Sequence, residues 1–168
     1  VSFVEADFLK PDTLSNIPKD LDAAYYLMHS MSNSSNNFED LEKQCAENFK
    51  SYIESTQTKQ VIYLSGITND NKLSKHLSSR KQVEDTLKSK VYATTILKAG
   101  IIVGSGSSSF EIIRDLVEKL PVMITPKWLN TKTQPIAVRD VMMYLSKSLG
   151  NKKLYNKSYD IFGPEVLT

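Results

Sequence analysis

The stretch Val61-Ile62-Tyr63-Leu64-Ser65-Gly66 decides the fold. Four apolar residues in a row, two of them β-branched, followed by a small polar pair, read as a strand covered on both faces that stops at a turn. Helices are therefore expected on either side of it in sequence. Upstream, Phe38, Leu41, Cys45, Phe49, Tyr52 and Ile53 recur at helical spacing and predict a strong amphipathic helix. Downstream, Leu73, Leu77, Val83 and Leu87 place a weaker stripe on a helix running to about Ser89.

Working outward, Asp22 to Met28 reads as a second strand covered on both faces, and Val91 to Leu97 as a β-branched strand stopping at Ala99-Gly100. Phe3 to Ala6 reads as a short strand, and Pro11-Asp12 opens a turn or short helix. Phe110, Ile113, Leu116, Val117 and Leu120 mark a helix ended by Pro121, with Ser108 and Glu111 spaced as a capping box. Val122 to Ile124 suggests another short strand. Val138, Val141, Met142, Leu145 and Leu149 form a final helix closed by Gly150, and Tyr159 to Phe162 a last strand. This alternation predicts an α/β fold, a parallel sheet with helices on both faces. In such sheets ligands sit at the carboxyl ends of the strands, near a switch in strand order. That directs attention to Asp7-Phe8, His29-Ser30-Met31, Ser65-Gly66-Ile67 and Ala99-Gly100-Ile101.

Composition narrows the partners. The net charge of +2 is spread along 168 residues without a basic run, so nucleic acid is not an expected partner. No apolar run approaches the length of a membrane span. Cys45 is the one cysteine, which excludes an internal disulfide and fits the cytoplasm. It falls on an apolar helical stripe, so packing is the expected role rather than nucleophilic chemistry. His29, His76 and Cys45 lack metal-ligand spacing, and no metal site is expected. Val1 stands where a natural chain would carry Met, so a fragment is expected.

Several segments carry a family likeness. They are Ala99-Gly100-Ile101-Ile102-Val103-Gly104-Ser105-Gly106-Ser107, Arg114-Asp115-Leu116-Val117, Thr125-Pro126-Lys127-Trp128, Thr133-Gln134-Pro135-Ile136-Ala137 and Gly163-Pro164-Glu165-Val166. With Tyr26-Leu27-Met28-His29-Ser30 and His76-Leu77-Ser78-Ser79-Arg80, the chain resembles the atypical short-chain dehydrogenase/reductase proteins. That is the NAD(P)-binding group that includes nucleoside-diphosphate-sugar epimerase-like members. The resemblance implies a Rossmann-like domain over residues 1–168 whose first βαβ unit is missing, with part of a small substrate-side region after residue 100. It also implies NAD or NADP as cofactor and a small-molecule substrate. Family members open on a Gly-x-x-Gly-x-x-Gly turn that lets backbone amides approach the pyrophosphate. No such turn is present, so this polypeptide alone is expected to bind dinucleotide weakly or not at all.

The family's active enzymes use a Ser with Tyr-x-x-x-Lys, and no Tyr here has Lys four residues on. The pattern Tyr-x-x-Ser-Lys-x-x-x-Glu matches His76-x-x-Ser79-Arg80-x-x-x-Glu84, with His for Tyr and Arg for Lys. A register shifted by one keeps Lys81 but puts Leu77 at the acid position. In the preferred register His76 and Arg80 share a helical face. A histidine titrates near neutrality and can carry a proton. An arginine cannot act as a base, but it can hold a ribose or phosphate. The competing reading leaves both on a solvated or capping face. Ser65 either binds a substrate oxygen or caps a turn. Asp7 and Phe8 are implied adenine contacts, although Asp7 by itself is a turn former. Leu27, Met28, His29, Ala99, Gly100 and Ile101 are implied cofactor contacts, mainly through backbone. For His29, a hydrogen-bonded strand end competes. Gly104 to Ser109 reads as a phosphate cradle or simply as the cap before Glu111. Trp128 and Pro126 line the substrate side or pack a late loop.

Two functions follow from the resemblance. One is an NAD(P)-dependent oxidoreductase or epimerase acting on a carbonyl or nucleotide sugar, with His76, Ser65 and Arg80 as its working side chains. The other is a non-catalytic NAD(P)-binding module that senses redox state or assists assembly.

Overall fold

A computed structural model describes residues 1–28, 38–67, 75–104, 111, 114–115, 118–119 and 132–167, with the backbone alone at 38 and 75–77. In chain order the elements are β1 (Ala23–Tyr26), α1 (Phe38–Glu54), β2 (Gln60–Gly66), α2 (Lys75–Thr86), β3 (Ala93–Ala99), β4 (Ile102–Val103), β5 (Ile136–Ala137), α3 (Val138–Ser148) and β6 (Lys157–Ile161). A 3-10 turn at Pro11–Asn16 precedes β1, opened by Pro11 as its sequence suggests.

The main sheet has the order β1-β2-β3-β6, every pair parallel. Period-two alternation divides the central strands between two cores. Val61, Tyr63 and Ile96 join Tyr26, Ala46, Phe49, Ile53, Val83 and Leu87 beneath α1 and α2. Ile62, Leu97 and Ala99 join Val141, Leu145, Ile136 and Ile161 beneath α3. Helices therefore cover both faces, as the doubly apolar β2 requires.

α3 makes the same one-strand step as α1 and α2 but lies on the other face. The third connection therefore has the opposite hand to the first two. It carries the parallel pair β4–β5, in which Ile102 lies opposite Ile136 and Val103 opposite Ala137.

Four expectations need correction. Phe3 to Ala6 forms no strand, and Phe3 is 97% exposed. Its short apolar pattern finds no ladder among the described residues, and propensity alone does not hold four residues extended. Among the described residues the second strand is covered on one face only: Tyr26 is buried while Tyr25 and Leu27 stay exposed. The buried stripe of α1 runs through Glu42, Ala46, Phe49 and Ile53, one position off the expected line, so Leu41 and Cys45 are only half-buried. In the last helix Val141 and Leu145 are buried, but Met142 and Leu149 are exposed.

The remaining elements match. Gly150 closes α3 with a φ of 68°, a left-handed conformation that favours glycine. Glu111, Arg114, Asp115, Glu118 and Lys119 are helical, in keeping with the helix expected there. The expected cap at Ser108, the strand at Val122 to Ile124, and Pro126 and Trp128 lie outside the described residues.

Candidate functional site

Parallel pairing brings the carboxyl ends of the strands to one rim. Gly66 pairs with Ala99, and Ala99 with Ile161. Tyr26 pairs with Tyr63, so Leu27 and Met28 emerge beside the end of β2. The Ile67 amide donates to the Ala99 carbonyl at 3.0 Å, which holds the two outgoing loops together. Leu27 is exposed, and Met28 is half-buried against the first core. The Ala99 side chain belongs to the second core, so it offers a ligand backbone only. Gly100 abuts the Gln134 carbonyl, and Ile101 accepts the Ile136 amide at 2.9 Å.

Ser65 and Arg80 come together from β2 and α2. A Cβ at Gly66 would stand 3.2 Å from Arg80 Nη1, so the guanidinium lies over the glycine at the strand end. Ser65 is 3% exposed on the α2 side of the sheet, two positions after Tyr63. The Tyr63 side chain leaves the same face of β2. Burial raises the phenol's pKa, while Ser65 and the Arg80 charge act the other way; burial wins, and the phenol stays protonated at neutral pH. Among the described residues no carboxylate pairs with Arg80.

Four further side chains set the pose of α2. Glu84, one turn after Arg80, meets Lys98 at 3.2 Å with both side chains largely buried. Lys98 stands opposite Ser65 in the β2–β3 register. Nearer the start of α2, the buried Ser79 hydroxyl donates to Glu42 of α1. These two ties fix the roll of the helix that carries Arg80. His76 lies one turn before Arg80 on the α2 backbone, and the direction of its imidazole is outside the described residues, as is His29 altogether.

Asp7 and Phe8 sit elsewhere, against α1. Phe8 packs on Phe49 with ring centroids 5.5 Å apart, and its carbonyl accepts from Asn48 Nδ2 at 2.7 Å. Asp7 Oδ1 accepts the Leu9 amide at 2.9 Å and Oδ2 meets Lys10 at 3.5 Å, so the side chain forms the local turn. The Cys45 thiol has its pKa raised, first by burial and then by the Asp7 and Glu42 charges, which works against a nucleophilic thiolate. No group of His, Cys, Asp and Glu among the described residues could hold a metal, and no described helix is long and apolar enough to cross a membrane.

Sequence reasoning overlooked Tyr63, Lys98 and Glu42. Tyr63 was within reach, because residues two apart on a strand share a face. Lys98 is the one charged residue of β3, and Glu42 falls on the true α1 stripe once Ala46, Phe49 and Ile53 are aligned with it.

No family model matches the sequence, and nothing among curated proteins matches it either. Solved structures do. UDP-glucuronic acid 4-epimerase from Bacillus cereus, in complex with NAD, superposes with a TM-score of 0.75 at 16% identity, over 96% of this chain and 60% of that one. A short-chain dehydrogenase/reductase superfamily protein from Agrobacterium tumefaciens with bound NAD gives 0.74 at 10% identity, over 95% and 65%. The Bordetella bronchiseptica enzyme WbmG, in complex with NAD and UDP, gives 0.75 at 10% identity, over 98% and 58%. The chain has their fold. It spans about three fifths of the length of these structures.

Proposed function

We propose that this chain forms the catalytic-rim part of an NAD(P)-dependent oxidoreductase or epimerase acting on a carbonyl compound or nucleotide sugar, and that it works in the cytoplasm. The observation that carries this reading is the Arg80 guanidinium over Gly66, beside the buried Ser65, at the carboxyl end of a parallel sheet. A cation with several N–H donors and no carboxylate partner among the described residues suits a ribose hydroxyl or phosphate oxygen. The three superposed proteins are described with NAD bound, which supports a dinucleotide here.

Each side chain then has one task. Arg80 would hold the ribose, and the Ser65 hydroxyl would bind the substrate oxygen that gains or loses a proton. His76, on the same side of α2 one turn earlier, would carry that proton. Leu27, Met28, Gly100 and Ile101 would border the dinucleotide, and Asp7-Phe8 would meet its adenine end. The nicotinamide, when bound, supplies or accepts hydride.

The test is titration of the full-length protein with NADH and NADPH, followed by turnover on a panel of carbonyl compounds and nucleotide sugars. Tight binding with turnover, and loss of at least about tenfold in kcat in His76→Ala, is the expected result. Binding without turnover would move the protein to the non-catalytic module reading. Unchanged rates in His76→Ala would remove that residue from the chemistry. Arg80→Lys should weaken cofactor binding about tenfold, because a point charge replaces a planar fork.

A further inference from the structure

Arg80 and Glu84 stand one turn apart on α2, at the i, i+4 spacing at which an arginine and a carboxylate on one helix face pair with each other. They do not pair here. Glu84 meets Lys98 of β3 at 3.2 Å, with the two side chains 11% and 20% exposed. Lys98 follows Ile96 of the first core by two residues, so its side chain leaves β3 on the α2 side. Arg80 instead lies across Gly66, where a Cβ would stand 3.2 Å from Nη1, 3.4 Å from Cδ and 3.7 Å from Cζ. Among the described residues the guanidinium has no carboxylate partner.

We propose that Lys98 is a positioning residue for Arg80: by occupying Glu84 it keeps that carboxylate from drawing the guanidinium back along the helix, and so leaves Arg80 at the rim for a ligand. The argument starts from burial. A carboxylate as enclosed as Glu84 needs a cation close by. Two are in position, Lys98 across the layer and Arg80 on its own helix. An arginine four residues before a glutamate is the weaker order of a helical pair. With Lys98 gone, however, that pair is better for a buried Glu84 than no partner at all. A lysine suits the task, because its compact head satisfies a carboxylate without a planar match. The planar fork of Arg80 is then left for phosphate or ribose oxygens. A purely structural tie would use the same two charges, and the two roles part when both charges are removed.

The dinucleotide as ligand rests on the proposed function, whereas the competition for Glu84 does not, and the experiment separates them. The full-length protein is labelled with 15N-arginine, and the Arg80 side-chain Nε signal is assigned by its loss in Arg80→Lys. Lys98→Met should shift that signal, and Lys98→Met combined with Glu84→Gln should return it to the parent position. The Arg114 signal, from a residue paired with Glu111 and Asp115, should stay unmoved throughout. Affinity for NADH or NADPH, whichever binds the parent more tightly, should follow the same course: about tenfold weaker in Lys98→Met, and within about twofold of the parent in the double variant. In both variants Val83, Leu87 and the Ser79–Glu42 bond still hold the roll of α2. A pair that only fastened the helix would leave the double variant as weak as the single one, and that result overturns the proposal. So does an Arg80 signal unmoved in Lys98→Met. Should Lys98→Met not fold, Lys98→Gln, which keeps a donor for Glu84, takes its place in both measurements with smaller changes in the same direction, and no change there overturns the proposal too. If the parent binds neither NADH nor NADPH, the proposed function fails, while the Arg80 signal still decides the role of Lys98.

Discussion

Gln60 shows how much one side chain can hold together. It is 1% exposed at the start of β2, and its Nε2 donates to Thr95 Oγ1 and to the Ser148 carbonyl, both at 3.0 Å. Its Oε1 accepts the Gly150 amide at 2.8 Å. A strand residue thus supplies the partners that the last turn of α3 lacks, and couples that helix end to β3. Gln60→Leu keeps most of the volume and leaves the Ser148 carbonyl and Gly150 amide without those bonds. It should cost about 2–4 kcal/mol, read as a lower urea midpoint. Gln60→Glu retains the acceptor and should cost the donor bonds as well as burying a charge. Nothing in the sequence around Gln60 announces this role, because the groups it satisfies lie 88 and 90 residues away. Arg80 differs: its place was legible from the spacing to His76 and Glu84. What it faces, Gly66, depended on how α2 is rolled. The Glu84–Lys98 and Ser79–Glu42 ties that set this roll join separate elements.

At the level of elements, the helices and central strands were legible because hydrophobic period separates them cleanly. The edges were less so. β1 reads like a strand covered on both faces, yet among the described strands it stands at the side of the sheet, and an apolar pattern does not carry strand order. The opposite hand of the third connection was equally hidden, since crossovers of the usual hand are about 98% of those known. Past β6 the chain returns against β5: the Gly163 amide donates to the Pro135 carbonyl at 3.1 Å, and Thr133 and Leu167 exchange two hydrogen bonds at 2.8 Å. A Cβ at Gly163 would lie 2.2 Å from the Pro135 oxygen, a backbone atom that cannot step aside alone. Gly163→Ala should therefore push the tail off the β4–β5 pair and cost about 2–3 kcal/mol in urea unfolding. Gly66→Ala meets only the far end of the flexible Arg80 side chain. Its stability should stay within about 1 kcal/mol of the parent, and on the proposed function the change should appear instead in the NADH affinity of the full-length protein.

Across the whole molecule, the two cores differ in chemistry as well as position. The first encloses Tyr26, Tyr63 and Tyr92, three phenols whose pKa values are raised, chiefly by burial. The second encloses only aliphatic residues in its buried set, Ile62, Leu97, Ala99, Ile136, Val141, Leu145 and Ile161. High pH should therefore attack the layer under α1 and α2. In the unfolded chain each phenol ionises near pH 10, whereas in the folded protein these three hold their protons to higher pH. Over that interval the folded state binds more protons than the unfolded one, so stability falls as pH rises. Below pH 10 both states are protonated and this contribution is constant. The slope is at most about 1.4 kcal/mol per pH unit for each phenol. Unfolding midpoints in urea at pH 9, 10 and 11 should decline more steeply for the parent than for Tyr26→Phe, with each protein compared to itself at pH 9. Parallel declines would mean that the loss comes from other groups, such as exposed lysines. The Tyr26 ring, edge-on to Phe49 at 4.9 Å and to Tyr63 at 5.6 Å, remains in the variant, so the comparison isolates the ionising hydroxyl from the packing around it.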